Sequence, residues 1–565
     1  MGKNGKKSEI EKLKGEVERL KKELKKRKKY GLVWEEKPEE VVEMCKEKLP
    51  VLKEVKNKEI ITDKDKPVNL LIEGDNYHAL SVLNYTHAKK VDVIYIDPPY
   101  NTGNKDFIFN DRYVDKEDAY RHSKWLAFME KRLRLAKNLL KDTGVIFISI
   151  DDNEVAQLKM LCDNSDLFGD DNFIANLVWE NREGGGSSDS KHFKIKHEYI
   201  LVYAKNKDRL IIHTEKIPDE DAYTNSDEYE KIRGKHKLIK LNSASIQYSK
   251  SLDYPITAPD GSKISPSFKH KKACWRWSKQ KLEWGLKNGY VKLVKNKKGE
   301  WVVYTKQYLR VDNEENSIER SRPPLGVIPL FSSTMATKQL ENIFHGKFFN
   351  YPKPYQLIKY LLDLSTNSDS LILDFMAGTG TTAHAVLELN KEDGGSRKFI
   401  LGTNNEDNNG NEYKIAEDIC YPRIKKVIGG YKNLKGEKVA GLGGNLKYFK
   451  TDFVDYGEST DKNKIKLTEQ VTEMLCVKEG TFEEIENRVG FKIFKNTNHY
   501  TGIIFDQAAI PAFKKTIKDI KGKFSVYVFS LGDETFDDEF KDVRQGVQLS
   551  PIPEAILRVY RRIFK

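Results

Sequence analysis

Cysteine is scarce in this 565-residue chain, and the few cysteines that occur are far apart. None of them forms a CxxC pair or has a histidine at metal-ligand spacing; they are Cys45, Cys162, Cys274, Cys420 and Cys476. This distribution excludes a disulfide framework and a clustered zinc site. We expect reduced thiols, as in a cytoplasmic protein, and no bound metal.

Long apolar runs are absent as well. No stretch of about 18 apolar residues could span a bilayer, and the opening MGKNGKKSEIEKL lacks the apolar core of a signal peptide. We therefore expect a cytoplasmic protein without a membrane partner. The sequence also lacks a GxxxxGK(S/T) phosphate loop and a recognisable nuclease motif, so neither a motor nor a nuclease is predicted.

Positive charge is what the chain has in excess. It contains 98 Lys and Arg against 85 Asp and Glu, a formal net charge of +13, and its pI is about 9.0. This balance favours a polyanionic partner, because lysine and arginine neutralise phosphates and release counterions. The length predicts two to four domains, and 38% hydrophobic residues are enough to fold them.

Short apolar runs alternate with helical segments from about residue 68. The runs are NLLIEGD, VDVIYID, VIFISID, LVWE and HEYILVYAK, and the pattern returns later with SLILDF and KFILGT. This alternation predicts one mainly parallel α/β sheet with helices on both faces and an edge strand pair. The last two strands are assigned to the same sheet, because they cannot bury their faces alone.

Changes in this pattern divide the chain into five segments. They are a charged helix and arm at 1–60, one half of the sheet at 61–205, an insertion at 206–344, the other half of the sheet at 345–455, and a small α/β domain at 456–565. The first segment carries a short apolar stripe made of Ile10, Leu13, Val17, Leu20 and Leu24. Two heptads suit docking onto the protein's own body and pairing in a dimer equally well.

The tetrapeptide DPPY, at 97–100, directly follows the strand VDVIYI. Proline has no backbone N–H, so the carbonyl groups of Pro98 and Pro99 are presented without a competing donor. Asp97 adds a carboxylate acceptor, and the ring of Tyr100 can lie flat against a planar ligand. Acceptors beside an aromatic platform suit the exocyclic amine of a nucleobase.

A glycine-containing turn, DFMAGTGTT at 374–382, follows the strand LIL and precedes a helix. Its small residues Ala377, Gly378 and Gly380 let a ligand approach the backbone, and the helix N-terminus offers free N–H groups. The spacing departs from GxGxxG and does not favour a nicotinamide dinucleotide. A tight strand-to-helix turn without a ligand is the alternative interpretation.

Together, DPPY and DFMAGTGTT resemble the catalytic and S-adenosylmethionine motifs of amino-group DNA methyltransferases. Their order, with the insertion between them, resembles the beta class. IYIDPPYNTG, KHEYILVYAK and NYPKP resemble the modification (Mod) subunits of type III restriction-modification systems. The resemblance implies a circularly permuted, seven-stranded Rossmann-like sheet, in which the first five runs are strands three to seven and the last two are strands one and two, with an inserted target recognition domain.

The resemblance also implies roles for individual residues. Asp97, Pro98, Pro99 and Tyr100 would be catalytic, in transfer of a methyl group from S-adenosylmethionine to adenine N6 of a base flipped out of duplex DNA. The implied cofactor-binding residues are Asp75, Lys353, Pro354, Asp374, Phe375, Ala377, Gly378, Gly380, Thr381, Thr382 and, for the ribose, Asn404 or Glu406. Asp75 has a second interpretation as a turn-capping acid.

The insertion alternates cations with three tryptophans, Trp275, Trp277 and Trp284. The tryptophans are predicted to support the core of a small β unit. The predicted DNA contacts are Lys271, Lys272 and Lys279 to phosphates and Arg276 to a base edge.

Alternatives stay open from the sequence. Asp at the head of PPY favours adenine, but N4 of cytosine fits the same acceptors, and RNA bases or a protein glutamine amide are further substrates of similar geometry. A catalytically inactive DNA-binding specificity subunit is the non-enzymatic alternative. The expected partners are double-stranded DNA, a second copy in a homodimer, and a separate restriction (Res) subunit that supplies ATPase and nuclease.

Overall fold

The computed structural model describes residues 34–564 apart from 64–65, 183–191, 217–221, 268–271, 330, 347–348, 350–351, 406–412, 457–460, 498, 533, 535 and 544–545. The apolar stripe predicted for the N-terminal helix lies outside the described residues. The chain forms two compact units: one combines the chain before residue 213 with the chain after residue 324, and the other is His213–Pro324.

A ten-stranded sheet forms the centre of the larger unit. Its strands are, in chain order, β1 (Lys48–Glu54), β2 (Val68–Glu73), β3 (Val91–Ile96), β4 (Leu140–Ile150), β5 (Phe173–Glu180), β6 (His197–Ala204), β7 (Val327–Ile328), β8 (Leu371–Asp374), β9 (Lys398–Thr403) and β10 (Asn445–Asp455). Their spatial order is β1-β10-β2-β9-β8-β3-β4-β6-β5-β7.

The seven predicted strands lie next to one another in this sheet, from β2 to β5 in the spatial order. In the numbering implied by the resemblance, their order is 3-2-1-4-5-7-6. The first five of them run parallel, and β6 is antiparallel to both of its neighbours, as expected for the edge pair. The predicted α/β fold class with a permuted Rossmann-like sheet is therefore confirmed, and β1, β7 and β10 extend it.

Helices cover both faces of the sheet, because alternate residues of each central strand are apolar on both sides. Ile94 and Ile96 of β3 belong to one core, whereas Val93 and Tyr95 belong to the other. The helices of the first core are Asn76–Thr86, Arg121–Leu139 and Val155–Cys162, and those of the second are Ser333–Phe344, Tyr355–Ser365, Thr381–Asp393 and Tyr421–Gly429.

Smaller elements complete this part of the unit. They are the helix Glu40–Glu43, the π-helix Ile415–Cys420, and the strand pairs Ile108–Phe109 with Arg112–Tyr113 and Gly430–Lys432 with Lys438–Ala440. None of the helices in the described ranges is long and apolar enough to cross a bilayer.

The C-terminal segment has a sheet of its own, as predicted for 456–565, but it shares a core with the central unit. Its strands, adjacent in chain order, are β11 (Glu483–Arg488), β12 (Phe491–Lys495), β13 (His499–Ile504), β14 (Lys523–Phe529) and β15 (Val547–Ile552). Its helices are Asp461–Gln470, Thr472–Glu479, Ile510–Ile517 and Glu554–Ile563. Ile556 and Leu557 pack in the same core as Leu80 and Leu83, which ties the segment to the main body.

The smaller unit is shorter than the predicted insertion of 206–344. Residues after 324 return to the larger unit, where β7 pairs with β5 and Ile343 is buried in the second core. Its sheet has the order His236–Lys240, Trp301–Tyr308, Val291–Lys295, and its helices are Glu230–Arg233 and Lys279–Lys287. Its two-residue strands are Glu215–Lys216 with Ser321–Arg322, Asn242–Ser243 with Cys274–Trp275, and Ile256–Thr257 with Lys263–Ile264.

Candidate active site

The two sequence motifs follow neighbouring strands of the central sheet. DPPY comes directly after β3, and the glycine turn comes at the end of β8. The strands are parallel and hydrogen-bonded, with Val93 opposite Ile372 and Ile94 opposite Leu373. Both motifs therefore leave the sheet side by side at its carboxyl edge, the edge where open α/β sheets bind ligands.

One cavity of about 320 Å³ is lined by both motifs. Asp97, Pro98 and Pro99 line it from the DPPY loop, and Phe375, Met376 and Gly378 line it from the glycine turn. Among the other residues predicted from the sequence, Asp75 and Asn404 also line it. Glu406, the alternative to Asn404, lies outside the described residues. The cavity therefore joins the predicted base-binding and cofactor-binding residues in one space.

The glycine turn is shaped by two residues with positive φ. Gly378 has φ +47°, and a Cβ built there would meet nothing within 4 Å. Gly380 has φ +77°, and its Cβ would lie 3.0 Å from Cys420 Sγ. Both backbone conformations favour glycine, but only Gly378 borders the cavity.

The carboxylate of Asp374 stabilises this turn by hydrogen bonds. Its carboxylate accepts hydrogen bonds from the backbone N–H of Met376 at 3.0 Å and from the hydroxyl of Thr382 at 2.5 Å. Burial raises the pKa of Asp374 to about 7 despite these bonds. Asp374, Ala377, Gly380, Thr381 and Thr382 thus shape the turn and do not line the cavity.

The two proline carbonyls of DPPY are not equivalent. The carbonyl of Pro99 accepts a hydrogen bond from the indole N–H of Trp125 at 2.7 Å, so it is not available to a ligand. The carbonyl of Pro98 accepts no hydrogen bond from any residue that the structure describes. Trp125 is fully buried on the helix Arg121–Leu139. Of these two carbonyls, only that of Pro98 is therefore free of a hydrogen bond from the described residues.

Lys353 lies against DPPY and is not among the cavity-lining residues, although the resemblance implied a cofactor role. Its Nζ is 3.1 Å from Asp97 Oδ1 and 3.1 Å from Glu198 Oε2, and it donates to the hydroxyl of Tyr100 at 2.8 Å. The lysine is only 9% exposed. Pro354 precedes the helix Tyr355–Ser365 as its N-cap and does not line the cavity either.

Glu198 is a site residue that the sequence interpretation missed. It accepts hydrogen bonds from the hydroxyl of Tyr100 at 2.9 Å and from the side-chain amide of Asn181 at 2.7 Å. The available signal was an acid near the start of the apolar strand HEYILVYAK, a position where an unpaired carboxylate would be costly. The partners of that acid come from distant segments, so they could not be identified from the sequence.

The charges in this cluster alter one another's ionisation. Burial raises the pKa of Asp97, and Lys353 opposes that shift. Burial also disfavours the charged form of Glu198, but Lys353 and the hydrogen bonds from Asn181 and Tyr100 hold its pKa below the ordinary value. The pKa of Lys353 is raised because Asp97 and Glu198 outweigh the effect of burial.

The position of Asp75 is compatible with both interpretations from the sequence, a residue of the cofactor site and a capping acid. It lines the cavity, and its carboxylate accepts from the backbone N–H of Tyr77 at 2.7 Å as the N-cap of the helix Asn76–Thr86. The fully buried Arg132, another residue that sequence reasoning missed, lies 3.4 Å from Asp75 and 2.6 Å from Glu39. These contacts fix the orientation of the Asp75 carboxylate at the cavity wall.

Comparison with known proteins identifies the family. A protein-family model described as DNA methylase, N6_N4_Mtase, matches residues 91–409, which is more than half of the chain. The chain belongs to this DNA methylase family. The matched range contains both motifs and the whole smaller unit.

The relatives of this methylase include type III and type II enzymes. It is 36% identical over 417 residues to the type III restriction-modification enzyme EcoPI Mod subunit of Escherichia phage P1, covering 64% of this chain and 61% of that protein. It is 33% identical over 392 residues to the StyLTI Mod subunit of Salmonella typhimurium, covering 64% and 57%. The type II methyltransferase M.KpnI of Klebsiella pneumoniae is 33% identical over 393 residues, covering 65% and 89%. The matches thus span about three fifths of the length of the two Mod subunits.

The smaller unit of the methylase is strongly basic. Residues 213–324 contain 23 Lys and Arg against 15 Asp and Glu, a net +8 of the total +13. Lys272, Arg276 and Lys279 are exposed on it, and Lys271 lies outside the described residues. The predicted core role of the tryptophans agrees with the structure, since Trp275 is 1% exposed and Trp284 stacks on Tyr290 with ring centroids 5.0 Å apart.

Proposed function

We propose that this chain is an S-adenosylmethionine-dependent DNA methyltransferase that modifies adenine N6 in duplex DNA, as the modification subunit of a type III restriction-modification system. The observation that carries the proposal is the single cavity between the DPPY loop and the glycine turn. Membership in the DNA methylase family and similarity to two Mod subunits support it.

The cavity suits the cofactor. Its volume of about 320 Å³ lies in the range of small-molecule sites, and Gly378 leaves open the space that a side chain would fill. Phe375, Met376, Asp75 and Asn404 would hold the cofactor there. When bound, S-adenosylmethionine would supply a sulfonium methyl group whose C–S bond breaks as the N–C bond forms, with the electron pair left on sulfur.

The chain's own residues would prepare the base. A flipped amine would donate one N–H to Asp97 Oδ2 and the other to the Pro98 carbonyl, which favours a tetrahedral nitrogen with its lone pair aimed into the cavity. The surplus proton of the methylated amine would pass to Asp97 Oδ2 and then to water. Tyr100, whose hydroxyl is fixed by Glu198 and Lys353, would stack against the base.

The net +8 of the smaller unit supports DNA as the substrate, because cations in such numbers neutralise phosphates. The two Mod relatives are named as subunits of larger enzymes, which supports a separate restriction subunit as partner. We include a homodimer in the proposal because the charged N-terminal segment carries a heptad-like stripe.

The substitution Asp97→Ala tests the proposed reaction. It removes the carboxylate acceptor without filling the cavity, so we expect methyl transfer to fall at least about a thousandfold while cofactor binding stays within about twofold. Radiolabelled methyl incorporation into a mixed duplex DNA library measures the first quantity, and calorimetric titration with S-adenosylmethionine measures the second.

The matched control for this experiment is Asp142→Ala, which removes a surface carboxylate paired with Arg209. It should methylate like the wild type. Sequencing of the product DNA for N6-methyladenine and N4-methylcytosine decides the target base. Transfer at the wild-type rate by the Asp97 variant would contradict the proposed role, and a cytosine product would replace the adenine assignment.

A further inference from the structure

In the function proposed above, two charged residues beside DPPY only fix the hydroxyl of Tyr100. They are Lys353 and Glu198, which together with Asp97 form a group that we term the ion triad. We propose, on the basis of the proposed methyl transfer, that Lys353 and Glu198 are positioning residues that hold Asp97 as an anion by Oδ1 and leave Oδ2 for the base amine.

The geometry gives Asp97 one fixed oxygen and one open oxygen. Lys353 Nζ lies 3.1 Å from Oδ1. Oδ1 is buried and, apart from this ion pair, has no hydrogen-bond donor among the described residues, so the 29% exposure of the Asp97 side chain, which lines the cavity, falls on its other atoms. An ammonium on one oxygen fixes the rotamer of the carboxylate, so the second oxygen is presented in one direction.

Glu198 anchors the lysine. Its two oxygens are both engaged, Oε1 by Asn181 at 2.7 Å and Oε2 by Tyr100 at 2.9 Å and Lys353 at 3.1 Å. The glutamate is thus held from two strand ends, and it in turn restricts a flexible lysine side chain to one position between two carboxylates. The same contacts connect the hydroxyl of Tyr100 to the ion triad.

The net charge of the ion triad suits the reaction. With all three groups ionised it is −1, and the amine nitrogen gains positive charge as its bond to carbon forms. A fixed negative charge next to that nitrogen stabilises the transition state more than the neutral amine of the ground state. If Lys353 were removed, the half-buried Asp97 would hold a proton more readily and would lose this charge.

The ion triad predicts that loss of Lys353 and loss of Glu198 shift the pH dependence of methyl transfer in opposite directions. Because the amine needs an ionised Asp97, activity should fall at low pH as Asp97 takes up a proton. We call this fall in the pH profile the acid limb. The variant Lys353→Met removes the group that lowers the pKa of Asp97, so its acid limb should move to higher pH by about 1 to 3 units. The variant Glu198→Gln removes a like charge that raises this pKa, so its acid limb should move to lower pH.

Other charged and titratable groups face Asp97 and must be considered. They are Tyr100 in the same loop, Tyr95 on β3 and Asp374 at the end of β8. The hydroxyl of Tyr95 is hydrogen-bonded to Ser149, and burial raises the pKa of both tyrosines far above the acid limb. Asp374, with a pKa of about 7, titrates nearby, but it is common to all variants and cannot produce shifts of opposite sign.

The experiment measures kcat for methyl transfer from pH 5 to 9 at saturating DNA and cofactor in the wild type, Lys353→Met, Glu198→Gln and the double variant. Opposite displacements of the two acid limbs, with the double variant between them, support the ion triad. Limbs that coincide with the wild type, or that move in the same direction, overturn it. A merely structural role would lower kcat without separating the limbs.

Controls separate this inference from folding defects and from the proposed function. Lys46→Met and Glu43→Gln break an exposed ion pair and should leave the profile unchanged. If Lys353→Met does not fold, the comparison of Glu198→Gln with Glu198→Asp decides, because only the charged variant should return the limb towards the wild type. Wild-type protein that methylates no DNA at any pH overturns the proposed function, and with it the ion triad.

Discussion

Gly378 and Gly380 both adopt left-handed backbone conformations, but their surroundings differ. An alanine at either position strains the backbone by about 1 kcal/mol. The Cβ of Gly378→Ala would enter open space at the cavity wall, whereas that of Gly380→Ala would lie 3.0 Å from Cys420 Sγ. We therefore expect Gly378→Ala to weaken cofactor binding about tenfold or more, and Gly380→Ala to lower the melting temperature by several degrees.

The two glycine variants are matched controls for each other. Calorimetric titration with S-adenosylmethionine and thermal unfolding should be measured on both. The expectation is contradicted if Gly378→Ala binds the cofactor like the wild type, or if both variants change affinity and stability in equal proportion. In that case the turn would tolerate side chains at the cavity wall.

The chemistry of single residues was more predictable than their partners. The hydrogen-bond acceptors of DPPY can be predicted from residue type alone, because proline and aspartate have the same donors and acceptors in any fold. The sequence does not indicate that Trp125 occupies the Pro99 carbonyl or that Lys353 contacts Asp97, since these residues are 26 and 256 positions away. Such contacts depend on how helices and strand ends meet in space.

At the scale of elements, the apolar runs predicted the seven strands in a row, and the strands that were missed have physical reasons. β1 contains Pro50 and three charged residues, a composition tolerated only at the edge of a sheet, where it lies. β7 has two residues and no periodicity to detect. β10 follows a loop with several glycines, and half of it is only partly buried, which weakens the apolar signal.

The helix Arg121–Leu139 fixes the DPPY loop through one hydrogen bond, from Trp125 to the Pro99 carbonyl. The substitution Trp125→Phe keeps most of the apolar volume but removes the donor. We expect kcat for methyl transfer to fall at least about tenfold, because displacement of the loop by a fraction of an ångström misaligns the base amine. Cofactor affinity should change little, since the indole does not line the cavity.

Met129→Leu is the control for this helix. Met129 is fully buried on the same helix, one turn further on, and leucine nearly conserves its volume. Single-turnover transfer by this variant should match the wild type. Equal losses in the tryptophan and methionine variants would mean that packing of the helix, and not the hydrogen bond, sets the position of the loop.

At the scale of the whole molecule, net positive charge is concentrated in two parts of the chain, residues 1–30 and the smaller unit, each with a net charge of +8. The smaller unit is one fifth of the sequence and holds +8 of the +13. The remaining residues have a net charge of −3, so among the described residues the smaller unit has the charge balance of a phosphate-binding surface. The total charge could be counted from the sequence, but its assignment to a compact unit needed the boundaries at 213 and 324.

The salt dependence of DNA binding tests this assignment. A triple variant removes three exposed cations from the smaller unit by replacing Lys272, Arg276 and Lys279 with alanine. The plot of log affinity against log salt concentration should become shallower by about 2 to 3, because each lost phosphate contact releases about one counterion fewer. Cofactor affinity should stay unchanged.

The control replaces Lys515, Lys518 and Lys521, three exposed lysines of the C-terminal segment, by alanine, which makes the same change in net charge. If binding depended on net charge alone, the slope of log affinity against log salt concentration would become shallower by the same amount in both triple variants. A shallower slope in the variant of the smaller unit alone places the phosphate contacts on that unit.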